Sequence, residues 1–227
     1  MKTRITKTLL DSWAYMCDHS NGEPEKRDEF ITLLKREQTP PNEAQQAGLD
    51  FERLVQEIAE GRFTPEWVHQ GGRCEPNSGE PMGYNKYPKN YNGAVKVADI
   101  VKGGQWQVHV AKDITVDGHD FWLHGFCDVV KAGVIYDLKF KTKSFGDNNL
   151  FLAGSSFKHS SQHSAYLRCL PEAYEFVYLV SDGEDLYTEA YSRMNSRPIE
   201  EIISEFMTWM KTEPELLKLY EERWVVE

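Results

Sequence analysis

The alternation of apolar and polar residues predicts a block of β-strands in the middle of the chain. The Asp117–Gly118 pair is typical of a tight hairpin turn and should join the first two strands of this block. The strands themselves are predicted at 106–114, 120–130, 134–141, 174–180 and 186–191.

Helical periodicity predicts helices before and after these strands. Asn42 is expected to cap the longest N-terminal helix, which should end near Gly61. The apolar residues of that helix recur at intervals of three and four, as expected for one buried face: Phe51, Leu54, Val55 and Ile58. The other helical segments are predicted at 5–16, at 30–37 after a polar stretch at 18–29, at about 160–170, and after Pro198.

This order of elements predicts an α+β fold in which helices flank a mixed central sheet. A length of 227 residues is appropriate for one domain with a substantial core. We expect that domain, spanning 1–227, to comprise N-terminal helices at 1–61, a loop excursion at 70–93 rich in Gly, Pro, Asn and Tyr, a strand meander at 106–141, and a helix–strand–strand–helix unit at 160–211.

The predicted strand at 134–141 has a distinctive charge pattern. It lies in the segment GVIYDLKFKTKSF, which places Asp137, Lys139, Lys141 and Lys143 on one face. A solvated sheet face is the plain interpretation of such a pattern, because short acid–lysine motifs often arise by chance. The neighbouring strand is therefore needed to decide whether the acid has a function.

A two-residue turn between the second and third strands would pair Lys131 with Val134 and so place Asp128 directly opposite Asp137. Two carboxylates that face each other across a sheet repel, so they require a neutralising partner. Lys139, two residues further along the same face, could supply it, and so could a hard divalent cation. A three-residue turn would shift the register and separate the two acids.

These residues resemble the sequence elements of RecB-like nucleases in the PD-(D/E)XK superfamily. The segments HGFCDVV, IYDLKFK and SSQHSAYL are similar to the family's G-x-x-D, D-x-K and Q-x-x-x-Y elements, in the family's order. GLDFE resembles the upstream helix element, and ITKTLLDSWAYM is similar to the first helix. The resemblance covers about 1–180 and implies a restriction-endonuclease-like core. The matching residues are Gly48, Glu52, Gly125, Asp128, Asp137, Lys139, Gln162 and Tyr166.

The resemblance implies metal-dependent hydrolysis of DNA phosphodiester bonds that leaves 5′-phosphates. Lys139 would orient or activate the attacking water. One or two Mg²⁺ or Mn²⁺ ions would be held by Asp128, Asp137, Glu52 and the backbone carbonyl of Leu138. Substrate-binding or site-orienting roles are expected for Gln162, Tyr166, Lys141, Lys143 and Lys158.

The same resemblance implies DNA as the partner, with linear duplex ends as the expected substrate. The expected role is that of a stand-alone exonuclease in recombination, repair or phage DNA processing. A homo-oligomer around DNA and a recombination partner protein follow by analogy alone. The contrasting hypothesis is a catalytically weak DNA-end-binding or recombination-partner protein with the same fold.

Composition and charge bear on the expected partner, cofactor and location. The net charge of −10 disfavours broad nonspecific adhesion to nucleic acid, yet 124–170 contains six Lys or Arg against three acids. The four cysteines lie more than forty residues apart and the last is Cys169, so no iron–sulfur cluster is expected. No apolar run approaches the length of a membrane span and no signal peptide is evident, which makes the cytoplasm the default location.

Several of the candidate residues also have plain structural interpretations. Glu52 lies at the border of the apolar face of its helix, where a solvent-edge glutamate is also common. Gly125 would permit close backbone approach, and a β-bulge would explain it equally well. Gln162 and Tyr166, four residues apart on one helix, could form an ordinary hydrogen-bonding pair. An α+β protein with accidental motif matches is the remaining alternative.

Overall fold

The protein is described here by a computed structural model that covers residues 2–19, 24–74, 81–142 and 157–226. These residues form an α+β fold with a mixed sheet. Their helices are α1 (Lys7–His19), α2 (Pro24–Leu34), α3 (Glu43–Ala59), α4 (Tyr91–Val101), α5 (Gln162–Cys169), α6 (Ile199–Thr212) and α7 (Pro214–Arg223). Their strands are β1 (Lys2–Ile5), β2 (Glu66–Cys74), β3 (Pro81–Lys86), β4 (Gln105–Val116), β5 (His119–Lys131), β6 (Val134–Phe140), β7 (Glu175–Ser181) and β8 (Leu186–Tyr191).

The central sheet has six strands, and three of them pair with β5. Strand β4 pairs antiparallel with one edge of β5 along almost the whole length of β5. The opposite edge is divided, because β1 runs parallel to residues 120–123 and β6 runs antiparallel to residues 129–131. Residues 124–128 therefore lie between the two partners, in a gap that we call the strand fork. Parallel β7 and antiparallel β8 extend the sheet beyond β6.

Apolar cores form on both faces of this sheet. Successive residues of one strand point to opposite faces of the sheet. In β7, Tyr178 belongs to one core whereas Leu179 belongs to the other. The larger core contains residues of α1, α2, α5, α6 and α7. The smaller core is formed by α3 and α4 against the other face. Among the described residues, no helix is both long enough and apolar enough to cross a membrane.

Local sequence signals predicted several elements correctly. Asn42 caps α3 by accepting a hydrogen bond from the Gln45 backbone N–H, and the Gln45 side chain accepts one from the Asn42 backbone N–H at 2.9 Å. This reciprocal capping satisfies two donors that the first turn leaves free. The turn at Asp117–Gly118 has two positive φ values, as a tight hairpin of this kind requires.

The secondary structure differs from the prediction in four places. Residues 2–5, of which only Ile5 was predicted to be helical, form strand β1, and α2 begins at Pro24 inside the polar stretch at 18–29. The predicted loop at 70–93 overlaps β2, β3 and the start of α4 in its described part. A further helix, α7, follows α6 at its C-terminal end, whereas the final predicted unit stopped at 211. Short strands stabilised by distant partners carry little local signal, which explains the first error.

Candidate active site

The strand fork brings Asp128 and Asp137 together. The β5–β6 hairpin has the two-residue turn, because Lys131 pairs with Val134 and the ladder continues to Val129 and Tyr136. One more step in this register reaches Asp128 and Asp137. At that step the Asp128 carboxylate accepts a hydrogen bond from the Leu138 backbone N–H at 2.8 Å. The predicted register is therefore confirmed, and the two acids meet at the point where β6 leaves β5.

A kink in the β4–β5 pair lies at the same point. Gln107, which falls opposite Asp128 in the register, has a φ of +49° within strand β4. Side chains two residues apart normally share a face, yet Cys127 belongs to the larger core and Val129 to the smaller one. At this kink the side chains of both strands therefore switch from one face of the sheet to the other. A left-handed residue inside a strand costs about 1–3 kcal/mol, so the surrounding packing must hold it in place.

Asp137 is almost completely buried, with 2% of its surface exposed. The Gln162 side-chain amide donates a hydrogen bond to Asp137 Oδ1. Lys139 Nζ lies 2.6 Å from Asp137 Oδ2, and the two form an ion pair. Apart from this ion pair, Oδ2 has no hydrogen-bond partner in the described part of the protein. Lys139 therefore offsets part of the cost of burying the carboxylate, and a bound cation would offset more.

The charges of the fork act strongly on one another. Burial, and then the nearby charge of Asp137, raise the pKa of Asp128 to about 8. Burial alone would lower the pKa of Lys139, but the charge and hydrogen-bonding capacity of Asp137 and the charge of Asp128 outweigh it, so that pKa is raised. Lys139 therefore remains a cation, whereas Asp128 holds a proton more readily than an isolated carboxyl group would.

Glu52 approaches the fork from the smaller core. It lies on α3, and its Oε1 accepts a hydrogen bond from the Gln107 side-chain amide at 2.5 Å. Burial is the main cause that raises the pKa of Glu52, and the charge of Asp137 adds to it. The kink at Gln107 thus connects α3 with the strand that carries Asp128. Glu52 is partly buried.

Helix α5 closes the fork on the side of the larger core. Gln162 contacts Asp137, and Tyr166, one turn later, packs against Gly125. A Cβ atom at Gly125 would lie 2.5 Å from a ring carbon of Tyr166. Close approach, rather than a bulge alone, therefore explains this glycine. Burial raises the pKa of the Tyr166 hydroxyl far above its usual range, which keeps it neutral.

A groove opens from the fork along α1. It has a volume of about 470 Å³, and its lining includes Lys139 and Gln162 together with Lys7 and Asp11 of α1. Lys7 Nζ donates to Gln162 Oε1 at 3.3 Å, and burial followed by the charge of Lys139 lowers its pKa. Asp11 Oδ1 accepts from the Ser161 backbone N–H at 2.6 Å, which fixes the start of α5 against α1.

Sequence analysis missed three residues of this region: Lys7, Asp11 and Gln107. A signal for the first two was present, because Lys7, Asp11 and Tyr15 recur every four residues opposite the apolar stripe of α1. No local signal exists for Gln107, whose role depends on strand pairing and on α3.

The lysines that follow the fork are placed differently from one another. Lys141 lies just beyond β6, with its Nζ 5.4 Å from the centre of the Phe157 ring. Lys158 is exposed, next to His159, which lines the groove. Lys143 lies outside the described residues, so its predicted role stays a prediction. The rings of Tyr87 and Tyr91 pack against each other at a tilt, with their centres 4.4 Å apart.

The fork can offer a divalent cation two carboxylates rather than three. No group of three or more His, Cys, Asp or Glu side chains is arranged to hold a metal ion in the part of the chain that the structure describes. Asp128 and Asp137 nevertheless fit one hard cation, since they place two carboxylates side by side with one ion-paired lysine. The Leu138 N–H points to Asp128. In a β-strand the N–H and the carbonyl of one residue point to the same edge, so the Leu138 carbonyl lies on this edge too. Glu52 is held by Gln107.

Comparisons with known proteins do not identify a family. No family model matches the chain, and no curated protein matches it. Among solved structures, the crystal structure of SSO0001 aligns with 92% of this chain and 77% of its own, at 11% identity and a TM-score of 0.48. A similarity of that size carries no argument about fold or function. The chemistry of this chain must therefore be inferred from its own residues.

Proposed function

We propose that the chain is a metal-dependent nuclease that hydrolyses DNA phosphodiester bonds, with its active site in the strand fork. One observation carries the proposal: Asp137 is buried beside a second carboxylate, Asp128, and forms an ion pair with Lys139 at 2.6 Å. Burial and the neighbouring charge of Asp137 raise the pKa of Asp128 to about 8, and groups with a strongly perturbed pKa are concentrated at functional sites.

The proposed roles follow from the contacts of each residue. Asp128 and Asp137 would hold a Mg²⁺ or Mn²⁺ ion, with the Leu138 carbonyl and Glu52 as further candidate ligands of one or two ions. Such an ion supplies charge neutralisation for the phosphate and a more acidic water. Lys139, kept cationic by the two acids, would orient the attacking water and offset the negative charge.

Other residues would position these groups. Gln162 links Asp137 to Lys7, since its amide donates to the acid and its carbonyl oxygen accepts from the lysine. Tyr166 packs against Gly125 and so sets the distance between α5 and the fork. Gln107 plays the equivalent part for Glu52. These residues are positioning groups rather than catalytic ones.

The groove beside Lys139 is the proposed path of the substrate strand. Lys7, Lys139 and His159 line it, and Lys141, Lys143 and Lys158 follow nearby in sequence. Cations in such a place would contact backbone phosphates. We extend the proposal to linear duplex ends with 5′-phosphate products, in recombination, repair or phage DNA processing in the cytoplasm. A homo-oligomer and a recombination partner belong to the same proposal.

A nuclease assay tests the proposal directly. End-labelled linear duplex and closed circular DNA are incubated with the protein in Mg²⁺, in Mn²⁺ or in EDTA, and Lys139→Ala is assayed in parallel. We expect metal-dependent loss of linear DNA, and at least a hundredfold lower rate in Lys139→Ala, the usual order of effect for a group that transfers or orients a proton. Cleavage of circles would change the assignment to an endonuclease.

Lys86→Ala is a suitable control, because Lys86 is an exposed lysine that pairs with Glu66 outside the fork. Its rate should equal that of the unmodified chain. If folded protein binds duplex ends but cleaves neither substrate with either metal, the nuclease proposal fails and the DNA-end-binding hypothesis replaces it.

A further inference from the structure

A second cavity lies on the other face of α5. Gln162 and Tyr166 turn toward the strand fork, whereas Ser164, Leu167 and Arg168 line a cavity of about 180 Å³. The remaining lining residues come from the segment before α6 and from its first turn: Arg193, Ser196, Arg197, Pro198, Ile199 and Glu200. We call this cavity the arginine–serine pocket. It shares no residue with the groove beside Lys139.

Two hydroxyl groups in the arginine–serine pocket lack hydrogen-bond partners. Ser164 is 94% buried, and its Oγ has no partner within the protein. Ser196 Oγ is buried in the same way and also has none. A buried hydroxyl that makes no hydrogen bond costs free energy, and each one can donate a proton to an acceptor. Both residues line the same cavity, so a single ligand with acceptor oxygens could satisfy both.

The charge of the pocket is positive although the chain as a whole is acidic. Three arginines and one glutamate line it, and the glutamate, Glu200, is paired with Arg168 at 2.5 Å. One nitrogen of Arg193 donates to the backbone carbonyls of Leu167, Leu170 and Pro171, at 2.9–3.0 Å. This contact fixes the guanidinium at the end of α5 and leaves its other N–H groups to a ligand.

Arg197 lies at the rim of the pocket. It pairs with Glu201 at 3.4 Å and also with Glu205, and about half of its side chain is exposed. These two carboxylates balance its charge, whereas Arg193 forms no ion pair with any described residue. A ligand in the pocket would meet both guanidinium groups.

The first turn of α6 adds backbone donors. Pro198 occupies the N-cap position and makes no side-chain cap hydrogen bond. The first N–H groups of a helix have no partner within the helix, and the helix dipole favours an anion at this end. A helix N-terminus alone would not define a site. Here it lies beside the unpartnered hydroxyl of Ser164 and the arginines.

We infer that the arginine–serine pocket binds a phosphate-type oxyanion, with Ser164 and Ser196 as hydroxyl donors and Arg193 and Arg197 as charge partners. Planar guanidinium groups and hydroxyls are well matched to phosphate oxygens. The ligand is either free inorganic phosphate or the phosphate of a 5′-mononucleotide, which share this chemistry. The inference does not rest on the proposed nuclease activity.

Calorimetric titration of the full chain tests the inference. Inorganic phosphate and a 5′-mononucleotide are titrated separately at constant ionic strength in the presence of EDTA. We expect saturable binding of one equivalent. Ser164→Ala and Arg197→Gln should each weaken it about tenfold, the order of one hydrogen bond to a charged group. Equal affinity for both ligands would identify the free anion as sufficient, and binding of the nucleotide alone would identify the nucleotide as the ligand.

Arg27→Gln is a matched control. Arg27, like Arg197, pairs with a glutamate and has 47% of its side chain exposed, but it lies outside the pocket. This variant should bind phosphate as the unmodified chain does. Absence of saturable binding of either ligand, or affinities that do not respond to Ser164→Ala and Arg197→Gln in folded protein, would overturn the inference. Circular dichroism of each variant establishes that it is folded.

Discussion

Strand β5 carries one aspartate in each half, and the two lie in opposite environments. Asp120 is exposed, pairs within the sheet opposite Thr115, and accepts a hydrogen bond from its hydroxyl at 2.7 Å. Asp128 lies in the strand fork, partly buried against a second acid. The same residue type on one strand is thus an ordinary surface acid in one half and a strongly perturbed one in the other. Partner strands decide the difference, because β1 pairs with the edge beside Asp120, whereas no strand of the described residues pairs with that edge at Asp128.

Asparagine substitutions of the fork acids and of Asp120 should differ most in the rate of DNA cleavage. Asp128→Asn and Asp137→Asn remove the charge proposed to hold a metal ion, so the initial rate of DNA cleavage should fall about a thousandfold. Asp120→Asn should leave that rate within twofold of the unmodified chain. Rates are measured in Mg²⁺ at a single pH. An equal loss in all three variants would show that the fork is not the site.

Gly125→Ala should produce the largest loss of stability in this region. The added methyl group would meet the buried ring of Tyr166 at 2.5 Å, and overpacking of this kind costs about 1–3 kcal/mol. Denaturant unfolding measures the free energy. Gly48→Ala provides the control, because no atom lies within 4 Å of its new methyl and α3 should gain about 0.5–1 kcal/mol. If Gly125→Ala left the free energy of unfolding unchanged, Tyr166 of α5 would not pack tightly against the fork.

The raised pKa of Asp128 predicts a pH dependence of stability in EDTA. Between its unfolded pKa near 3.8 and its folded pKa of about 8, the folded state binds more protons, so stability falls as the pH rises. Burial lowers the pKa of His163 to about 4, and this group acts in the opposite direction below about pH 6.5. From pH 6.5 to 8 Asp128 should therefore lower the free energy of unfolding by about 1–2 kcal/mol.

Asp128→Asn should flatten this decline, and Asp120→Asn should not. Both variants are unfolded with denaturant at pH 6.5 and at pH 8, and the two free energies are compared. A decline that survives in Asp128→Asn would assign it to other groups.

Metal binding should give the smallest of these effects. A Mg²⁺ concentration five times the dissociation constant would raise the free energy of unfolding by about 1 kcal/mol. The increase should appear in Asp120→Asn and vanish in Asp137→Asn. Thermal unfolding with and without EDTA provides the measurement, and it is independent of catalysis. Equal stabilisation of the two variants would place the metal elsewhere.

Much of the candidate site could be predicted from sequence because its parts are local. Asp128 and Asp137 are joined by a hairpin whose two-residue turn fixes the register, with Ala132 and Gly133 both at positive φ. Gln162 and Tyr166 are one helical turn apart and so reach the fork together. The capping box of α3 places Glu52 on its helix in the same local way.

Tertiary structure decided what lies around these residues. Strand β1 pairs with a segment more than a hundred residues away, and only this pairing creates the fork and brings Lys7 to Gln162. The left-handed conformation of Gln107 likewise depends on two cores that meet at one kink. Sequence alone determined the local elements and the two acids, because hairpin turns and helix periodicity act over a few residues. The burial that perturbs those acids arises from contacts between distant segments, for which a single sequence contains no local signal.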